Sequence, residues 1–588
     1  VTRGPYRPSR KPAAVVSAVV AAVGLLVVAA FLLSRPAMSA AVLVPWAATA
    51  FLVAGITQLL LASRARALRA VAGGMWLTVA LVVLVWPSPT TAVLSRLVAS
   101  GLLVVGVIDL ILAVRSPRTS DVRFAGVAGG CSHLGLGVAV LVWPSLSPFS
   151  LGVVLSLWLL LLAPHVLVQA AHRRHAAHHS EGVIPGRTST VARMAGSSVM
   201  LLVVGLVVAT AVIIERDTTP DPGPFYASPE AFDERPGALL RVEAIDDFVD
   251  GADAYRVLYT SRGMQGEPVA KSGVVVVPQG GVVPPGGRPV LAHTHGTIGI
   301  DRSCAPSLLG DGHAAQLWGL EEFLAAGWIV AAPDYLGLGG EGDHPYLVGE
   351  VAAHGTLDMV RAAVDLAEGE ASTRFAVAGH SQGGHAALFT GERAAQDAPE
   401  LDLVAVAALA PASDLPAFIE ANDGTILGNL LGAYAVSAWD RTFDDIDATD
   451  IVDPVALPIL ERLATTCLAP GPELASLLVQ AELLKLAFLL SPIWETEPWA
   501  SRIVANTPGQ QRIDAPLLVV QGDRDSLIRA DIQRDFTDRL CAAGQVLEYR
   551  EITGAGHLDV DHKARDLVVP WLTDRLAGVE VAATCTVD

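Results

Sequence analysis

The sequence predicts a two-part protein: an all-α polytopic membrane bundle, then an α/β domain built on a mostly parallel sheet. Three observations predict this. Charge is unevenly divided: through residue 214 there are sixteen Lys/Arg against three Asp/Glu, net +13, so the remainder carries −32 of a chain total of −19. Apolar runs crowd the first third and raise the mean hydropathy of the 588 residues to +0.48. Beyond residue 235, short apolar strands alternate with amphipathic or small-residue helices, the pattern of a sheet covered on both faces. The acidic rear argues against a nucleic-acid partner, because it would repel phosphates.

The front justifies about seven spans, at roughly 13–33, 39–62, 70–86, 91–114, 124–143, 148–170 and 194–214. A secretory signal peptide needs one such run, and six more follow the first. The basic residues fall in alternate loops: Arg3, Arg7, Arg10 and Lys11; Arg64, Arg66 and Arg69; Arg115, Arg118 and Arg123; Arg173, Arg174, Arg187 and Arg193. The intervening loops hold only Arg35. Positive charge stays on the cytoplasmic side. The expectation is a multi-pass cell-membrane protein with a cytoplasmic N-terminus and everything after about residue 215 outside.

The front also repeats. "RPAMSAAVLVPWAATAFLVAGITQLLLASR", "WPSPTTAVLSRLVASGLLVVGVIDLILAVR" and "WPSLSPFSLGVVLSLWLLLLAPHVLVQAAHR" align Pro36, Pro87 and Pro144 at the outer turns. Gly55 and Gly106 align further on, with Ala163 in the third copy. Three helical hairpins plus one linking span result. Over about residues 13–172 this resembles the short repeats of the small acid-resistance membrane protein family, which implies a six-helix module and no transferable chemistry. Arg96 and Asp109 lie in the fourth span, near opposite ends, where they are expected to snorkel. His172, His175, His178 and His179 read as a solvated loop rather than a metal site.

Residues 215–235, rich in Pro and Asp, read as a linker between the 1–214 membrane domain and a 236–588 α/β domain. The strand runs are "SGVVVVP", "RPVLAHTHG", "WIVAAPDY", "RFAVAGHS", "LVAVAALAP" and "APLLVVQGDRD". One of them ends in Gly379-His380-Ser381-Gln382-Gly383. A nucleophile on a sharp strand-to-helix turn needs small residues two positions either side, so Gly379 and Gly383 mark a nucleophile elbow of an α/β-hydrolase. The helix start behind it favours developing negative charge.

A serine hydroxyl needs a base, and the base an orienting carboxylate, in the chain order Ser, acid, His. "LLVVQGDRDSLI" offers Asp523 and Asp525; spacing after the strand favours Asp525, with Asp523 a turn residue. "EITGAGHLDVDH" offers His557, on a Gly-Ala-Gly loop, and His562, expected on the following helix; His557 is favoured. The oxyanion hole would use the backbone N–H of Gln382 and of Thr297, with His295 bracing the loop. The segment "DYLGLGGEGDHPYLVG" reads as scaffold, with Asp334 and Tyr335 as minor pocket candidates.

"HGTIGIDRSCAPSLLG", "WIVAAPDYLGLGGEGDHPYLVGE", "GHSQGGHAALF" and "GDRDSLI…GAGH" together resemble the secretory lipase family, over roughly residues 224–588. The resemblance implies Ser381, Asp525 and His557 as a triad, a helical cap at about 413–508, and hydrolysis of carboxylic esters, with acylglycerols foremost. Family members are normally secreted freely, so the membrane module is the departure. Of five cysteines, Cys131 is expected as a buried thiol in the fifth span. The other four allow three pairings; the resemblance favours Cys304 with Cys467 and Cys541 with Cys585, bonds of an oxidising compartment. No zinc spacing or phosphate loop occurs, so neither metal nor cofactor is expected. The expected partner is a lipid or other ester substrate; the oligomeric state is left open. The competing readings are an acyltransferase using the same triad, and a membrane sensor or transporter whose hydrolase-like domain only binds ligand.

Overall fold

The computed structural model describes residues 19, 22–30, 40–60, 66–85, 91–115, 119–142, 155–160, 163, 187–215, 221–309, 311–314, 316–469, 472–581 and 585. The basic N-terminus, the outer-turn prolines and the histidine loop at 172–179 lie outside the described residues. The chain divides into two compact units, Val1–Asp217 and Thr218–Asp588.

The front unit contains helices α1 (Ala40–Leu60), α2 (Arg66–Val85), α3 (Thr91–Val114), α4 (Ser120–Val142) and α5 (Arg187–Glu215). Residues 22–30 and 155–160 are also helical. Among the described residues, three segments are long and apolar enough to cross a membrane: Ala67–Leu84, Ser95–Val114 and Ser120–Leu141. Pro45–Leu59 and Met194–Leu206 are shorter apolar helices. Most of the first and sixth expected spans falls outside the described residues.

The repeat has a physical counterpart in the packing. A Cβ on Gly55 of α1 would sit 2.9 Å from the Gly73 carbonyl of α2 and 2.9 Å from Leu77 Cγ. A Cβ on Gly106 of α3 would sit 2.9 Å from the Gly130 carbonyl of α4 and 2.8 Å from Leu134 Cγ. The same glycine-on-glycine contact with an equivalent leucine thus occurs in the pairs α1–α2 and α3–α4, and it lets the backbones approach closely. Phe51, Trp76 and Trp158 fill the interior, with ring centroids 5.1 Å apart for Phe51–Trp76 and 4.8 Å for Trp76–Trp158.

Two expectations are corrected here. Asp109 does not merely snorkel: it lies 3.5 Å from His133 Nδ1 on α4, an acid–imidazole pair within the helices. Arg96 is exposed, in keeping with a side chain that reaches outward. Cys131 is exposed on the outer face of α4, not buried, because the face bearing Gly130 and Leu134 is the one turned to α3.

The rear unit is built on nine strands: β1 (Leu239–Ile245), β2 (Ala252–Arg262), β3 (Pro268–Pro278), β4 (Arg288–Thr294), β5 (Ile329–Pro333), β6 (Ala371–His380), β7 (Asp402–Leu409), β8 (Leu517–Gly522) and β9 (Leu547–Ile552). Their order in the sheet is β1-β2-β3-β5-β4-β6-β7-β8-β9. β4, β5 and β8 are buried throughout, their apolar runs Val290–Ala292, Ile329–Ala332 and Leu517–Val520 lying in the part of the sheet that is covered on both faces. The sheet is mixed but mostly parallel, as expected: the pairings β1–β2, β2–β3 and β3–β5 are antiparallel, and β5–β4, β4–β6, β6–β7, β7–β8 and β8–β9 are parallel. The sequence runs missed β1, β2 and β9, whose interspersed charges ("LLRVEAI", "LEYREI") reflect partly exposed positions at or near the sheet edges.

Helices α6 (Leu320–Ala325), α7 (Gly349–Leu366) and α8 (Gln382–Asp397) precede a cap of five, α9 (Leu415–Asn422), α10 (Ile426–Thr442), α11 (Leu457–Ala464), α12 (Pro472–Leu484) and α13 (Trp499–Ala505). The cap enters the chain between β7 and β8 and has its own apolar core, with Leu430, Tyr434, Trp439, Leu463 and Trp499. Helices α14 (Ala530–Ala542) and α15 (Val560–Leu576) complete the unit.

Residues 224–235 are not a free tether. Tyr226 is buried and hydrogen-bonded to Ser307 Oγ at 2.8 Å, Arg241 donates to the Phe225 carbonyl at 2.9 Å, and Thr260 Oγ1 donates to the Asp233 carbonyl at 2.5 Å. An aromatic side chain in a polar stretch found a place in the core that composition alone does not reveal.

Glu392 on α8 gives the unit a pH-sensitive joint. Its carboxylate accepts from Gly509 N at 2.6 Å and Gln511 N at 3.3 Å, holding the strand of chain that leaves the cap for β8. Burial pushes this carboxyl up from 4.5 to about 7, against the opposing pull of those N–H groups. A raised folded pKa means that the folded state binds the proton more tightly. The associated stability is complete below about pH 4.5 and is lost as pH rises through about 7, on the order of 3 kcal/mol in all. Glu392→Gln is therefore expected to flatten the fall in unfolding free energy between pH 5 and pH 8, read by denaturant titration of the detergent-solubilised chain. An unchanged slope would remove Glu392 as its source.

Candidate active site

The elbow forms because β6 runs straight into α8 with one residue between them. That residue, Ser381, has φ 59° and ψ −118°, a left-handed conformation costly for any side chain with a Cβ. Its N–H donates to the Leu409 carbonyl at 2.9 Å, which ties the turn to β7. The glycines are there for space. A Cβ on Gly379 would lie 2.0 Å from Thr294 Oγ1, and one on Gly383 would lie 2.1 Å from the Thr294 carbonyl.

The structure brings Ser381, His557 and Asp525 together. Asp525, buried after β8, accepts from Leu527 N at 2.9 Å and Ile528 N at 2.8 Å through one oxygen. Its other oxygen accepts from His557 Nδ1 at 2.8 Å and Gln521 Nε2 at 3.2 Å. A carboxylate only accepts, so the His557 proton sits on Nδ1 and Nε2 is left free to accept from Ser381 Oγ, 2.9 Å away. Asp523 has a different place: it accepts from Gly554 N at 2.6 Å and so holds the loop that carries His557. Asp559 holds the same loop through Gly556 N at 2.7 Å. His562 lies exposed on α15, away from the relay.

Gln382 is the first residue of α8, where a helix N–H has no intrahelical acceptor. The turn after β4 comes against the nucleophile: a Cβ on Gly296 would sit 3.8 Å from Ser381 Cβ. Thr297 follows, its hydroxyl bonded to Tyr346 OH at 2.7 Å. His295 is buried, with Nδ1 2.7 Å from the Gly296 carbonyl and Nε2 3.3 Å from the Asp334 carbonyl; burial holds it down at about 4, so the neutral ring donates to one of the two. Asp334 is buried beneath, accepting from Ser272 Oγ at 2.6 Å and Ser307 N at 2.9 Å, while Tyr335 OH donates to the His295 carbonyl at 3.1 Å. Both therefore act chiefly as scaffold, although Tyr335 also lines a small cavity beside Gln382.

Two neighbours of the relay escaped sequence reading. The His380 ring packs 4.7 Å from the His557 ring and 3.9 Å from the Asp561 carboxylate, and burial lowers it to about 4. His344 donates from Nδ1 to the Leu336 carbonyl at 2.9 Å, which leaves Nε2 to accept from the Gln382 amide at 3.2 Å. His380 stood inside the motif and Asp561 four residues after His557, so their adjacency had a signal; His344 had none. Among the described residues no group of three or more His, Cys, Asp or Glu could hold a metal ion. The four remaining cysteines form Cys304–Cys467 and Cys541–Cys585.

The fold has known counterparts. Residues 313–583 match the secretory lipase family. The lipase-like unit is similar to a probable inactive lipase of Mycobacterium tuberculosis, 27% identical over 388 residues that cover 62% of this chain and 84% of that one. It is also similar to Lipase A of Arthroderma benhamiae, 22% identical over 404 residues, 62% of this chain and 81% of that one. Among solved structures, Candida antarctica lipase A in its closed state superposes with a TM-score of 0.52 at 16% identity, over 62% of this chain and 89% of that chain. The lipase-like unit thus has the α/β-hydrolase fold. In the front unit, residues 20–82 and 71–135 match a short repeat of unknown function.

Proposed function

We propose that the protein is a membrane-anchored serine ester hydrolase of lipase type, with its lipase-like unit on the extracytoplasmic side and lipid carboxylic esters, acylglycerols foremost, as substrates. The observation that carries this reading is the continuous relay from Ser381 Oγ through His557 to Asp525. In the reaction Ser381 Oγ attacks the ester carbonyl while His557 Nε2 takes its proton. The N–H groups of Gln382 and Thr297 receive the oxyanion. His557 returns the proton to the leaving alcohol, and Asp525 holds the imidazole throughout. Water, activated by the same histidine, then releases the acid.

An apolar cavity of about 50 Å³ in the cap supports an acyl substrate; Phe418, Val436, Phe488 and Trp499 line it. Leu347 borders both this cavity and the smaller one beside Gln382. The alternating arginine loops and the two disulfides support an extracytoplasmic position.

The inactivity in the name of the M. tuberculosis relative belongs to that protein, and it motivates the alternative in which this unit only binds ligand. A fluorophosphonate probe separates the two. Wild-type chain in detergent is expected to gain one covalent adduct, mapped by mass spectrometry to Ser381, and Ser381→Ala none. A folded wild type that resists the probe would leave the binding reading standing and remove the hydrolase.

A further inference from the structure

We infer that the helical cap positions the oxyanion donor: Tyr346 and the Cys304–Cys467 bond are positioning groups for Thr297, so that acyl transfer requires a seated cap. The inference rests on the proposed roles of Ser381 and Thr297.

The segment 295–304 leaves β4 beside Ser381 with little secondary structure of its own; a 3-10 turn at Arg302–Cys304, capped by Asp301, is all it has. Its two ends are fixed by the core. Tyr335 OH donates to the His295 carbonyl at 3.1 Å, and Gly339 N donates to the Arg302 carbonyl at 2.7 Å. Its middle is fixed by the cap. The Ile298 carbonyl accepts from Leu468 N at 2.8 Å. Gly299, at φ 117°, is so close to the cap that a Cβ there would meet Cys467 Cα at 3.1 Å and the Thr466 carbonyl at 3.3 Å. Ile300 is buried in the cap's apolar cluster with Trp439 and Tyr434. Cys304 is covalently joined to Cys467.

Tyr346 carries the same hold to Thr297. Its hydroxyl meets Thr297 Oγ1 at 2.7 Å, and its carbonyl accepts from the cap's Trp439 Nε1 at 2.7 Å. Tyr434 OH donates to the Thr466 carbonyl at 3.0 Å, tying α10 to the segment that carries Cys467. A displaced cap would leave residues 297–300 attached only at their ends. Misplacing a preorganised donor raises the transition state while leaving ground-state binding nearly untouched, because the donor engages fully only once charge develops on oxygen.

The test uses the full chain in detergent, as wild type, as Tyr346→Phe and as the pair Cys304→Ser with Cys467→Ser. Three quantities are read: steady-state hydrolysis of a short-chain p-nitrophenyl ester, inhibition by an alkyl boronic acid that mimics the tetrahedral intermediate, and hydrogen exchange of the 295–304 amides. Each variant is expected to lose about 10- to 100-fold in kcat, below the cost of removing a donor outright, with KM within about threefold. Boronate affinity should fall in parallel, and the 295–304 amides should exchange faster while β6 and α8 stay protected. Tyr346→Phe keeps the ring, so it remains informative if the cysteine pair unfolds. Unchanged kcat and boronate affinity in a folded Tyr346→Phe, beside an active wild type, would overturn the inference alone. A wild type that neither hydrolyses the ester nor takes a fluorophosphonate would overturn the reading of the site, and the inference with it.

Discussion

Asp525→Asn is expected to lower kcat by about 10⁴ while leaving KM and the fold close to wild type. The size follows from the hydrogen-bond inventory. Asp525 accepts four donors, from Leu527 N, Ile528 N, Gln521 Nε2 and His557 Nδ1. An asparagine has one acceptor oxygen and a donating amide in place of the other. If the oxygen stays on the two backbone N–H groups, the amide faces His557 Nδ1, and two donors oppose each other. The imidazole then moves its proton to Nε2, where it can no longer accept from Ser381. Asp523→Asn provides the contrast: it loosens the Gly554 loop but keeps an acceptor oxygen, and a loss within about tenfold is expected. Steady-state kinetics of the two variants on one ester decide between the acids. Equal losses would show that the loop, not the carboxylate, is what Asp525 supports.

The second large effect is on folding. Gly383→Ala puts a methyl group 2.1 Å from the Thr294 carbonyl and 2.8 Å from the His295 carbonyl, both backbone atoms that cannot swing aside. Either the start of α8 or the turn after β4 must shift. A cost of at least about 3 kcal/mol is expected, at the upper end of overpacking penalties. Gly554→Ala is the control. Its φ of +75° makes any Cβ unfavourable, but nothing lies within 4 Å, so only the backbone term of about 1 kcal/mol applies. Thermal melts should therefore separate the two variants clearly. A Gly383→Ala protein that melts with Gly554→Ala would mean that the elbow relaxes at little cost.

Much of the candidate site was legible in the sequence because the constraints on it are local. The elbow needs glycines at fixed offsets from Ser381, the acid follows a buried strand, and the histidine follows a glycine loop. Each of these constraints acts within a few residues. What stayed hidden depends on partners brought together from afar. Nothing in "DHPYLVG" announces that Tyr346 meets Thr297, or that His344 meets Gln382, because those meetings are made by the tertiary fold. The same reason hid the pairing of Asp109 with His133: the fourth span showed its acid, and only the packing of α3 on α4 shows the imidazole opposite. The edge strands β1 and β9 were missed because half-exposed strands carry charges that break an apolar run. The buried strands had no such interruption.

The Cys304–Cys467 bond also sets an order of events during biosynthesis. It closes a loop of 163 residues that contains Ser381 and most of the cap. Its second sulfur emerges only after the nucleophile elbow and helices α9 to α11 have been made. The bond can therefore form only after these parts have been made, in a compartment that permits oxidation. A loop of this length restricts the unfolded chain by about 5 kcal/mol once closed. Asp525 and His557 follow Cys467 in the chain, so the bond can tie the turn after β4 to the cap before the rest of the candidate site has been made.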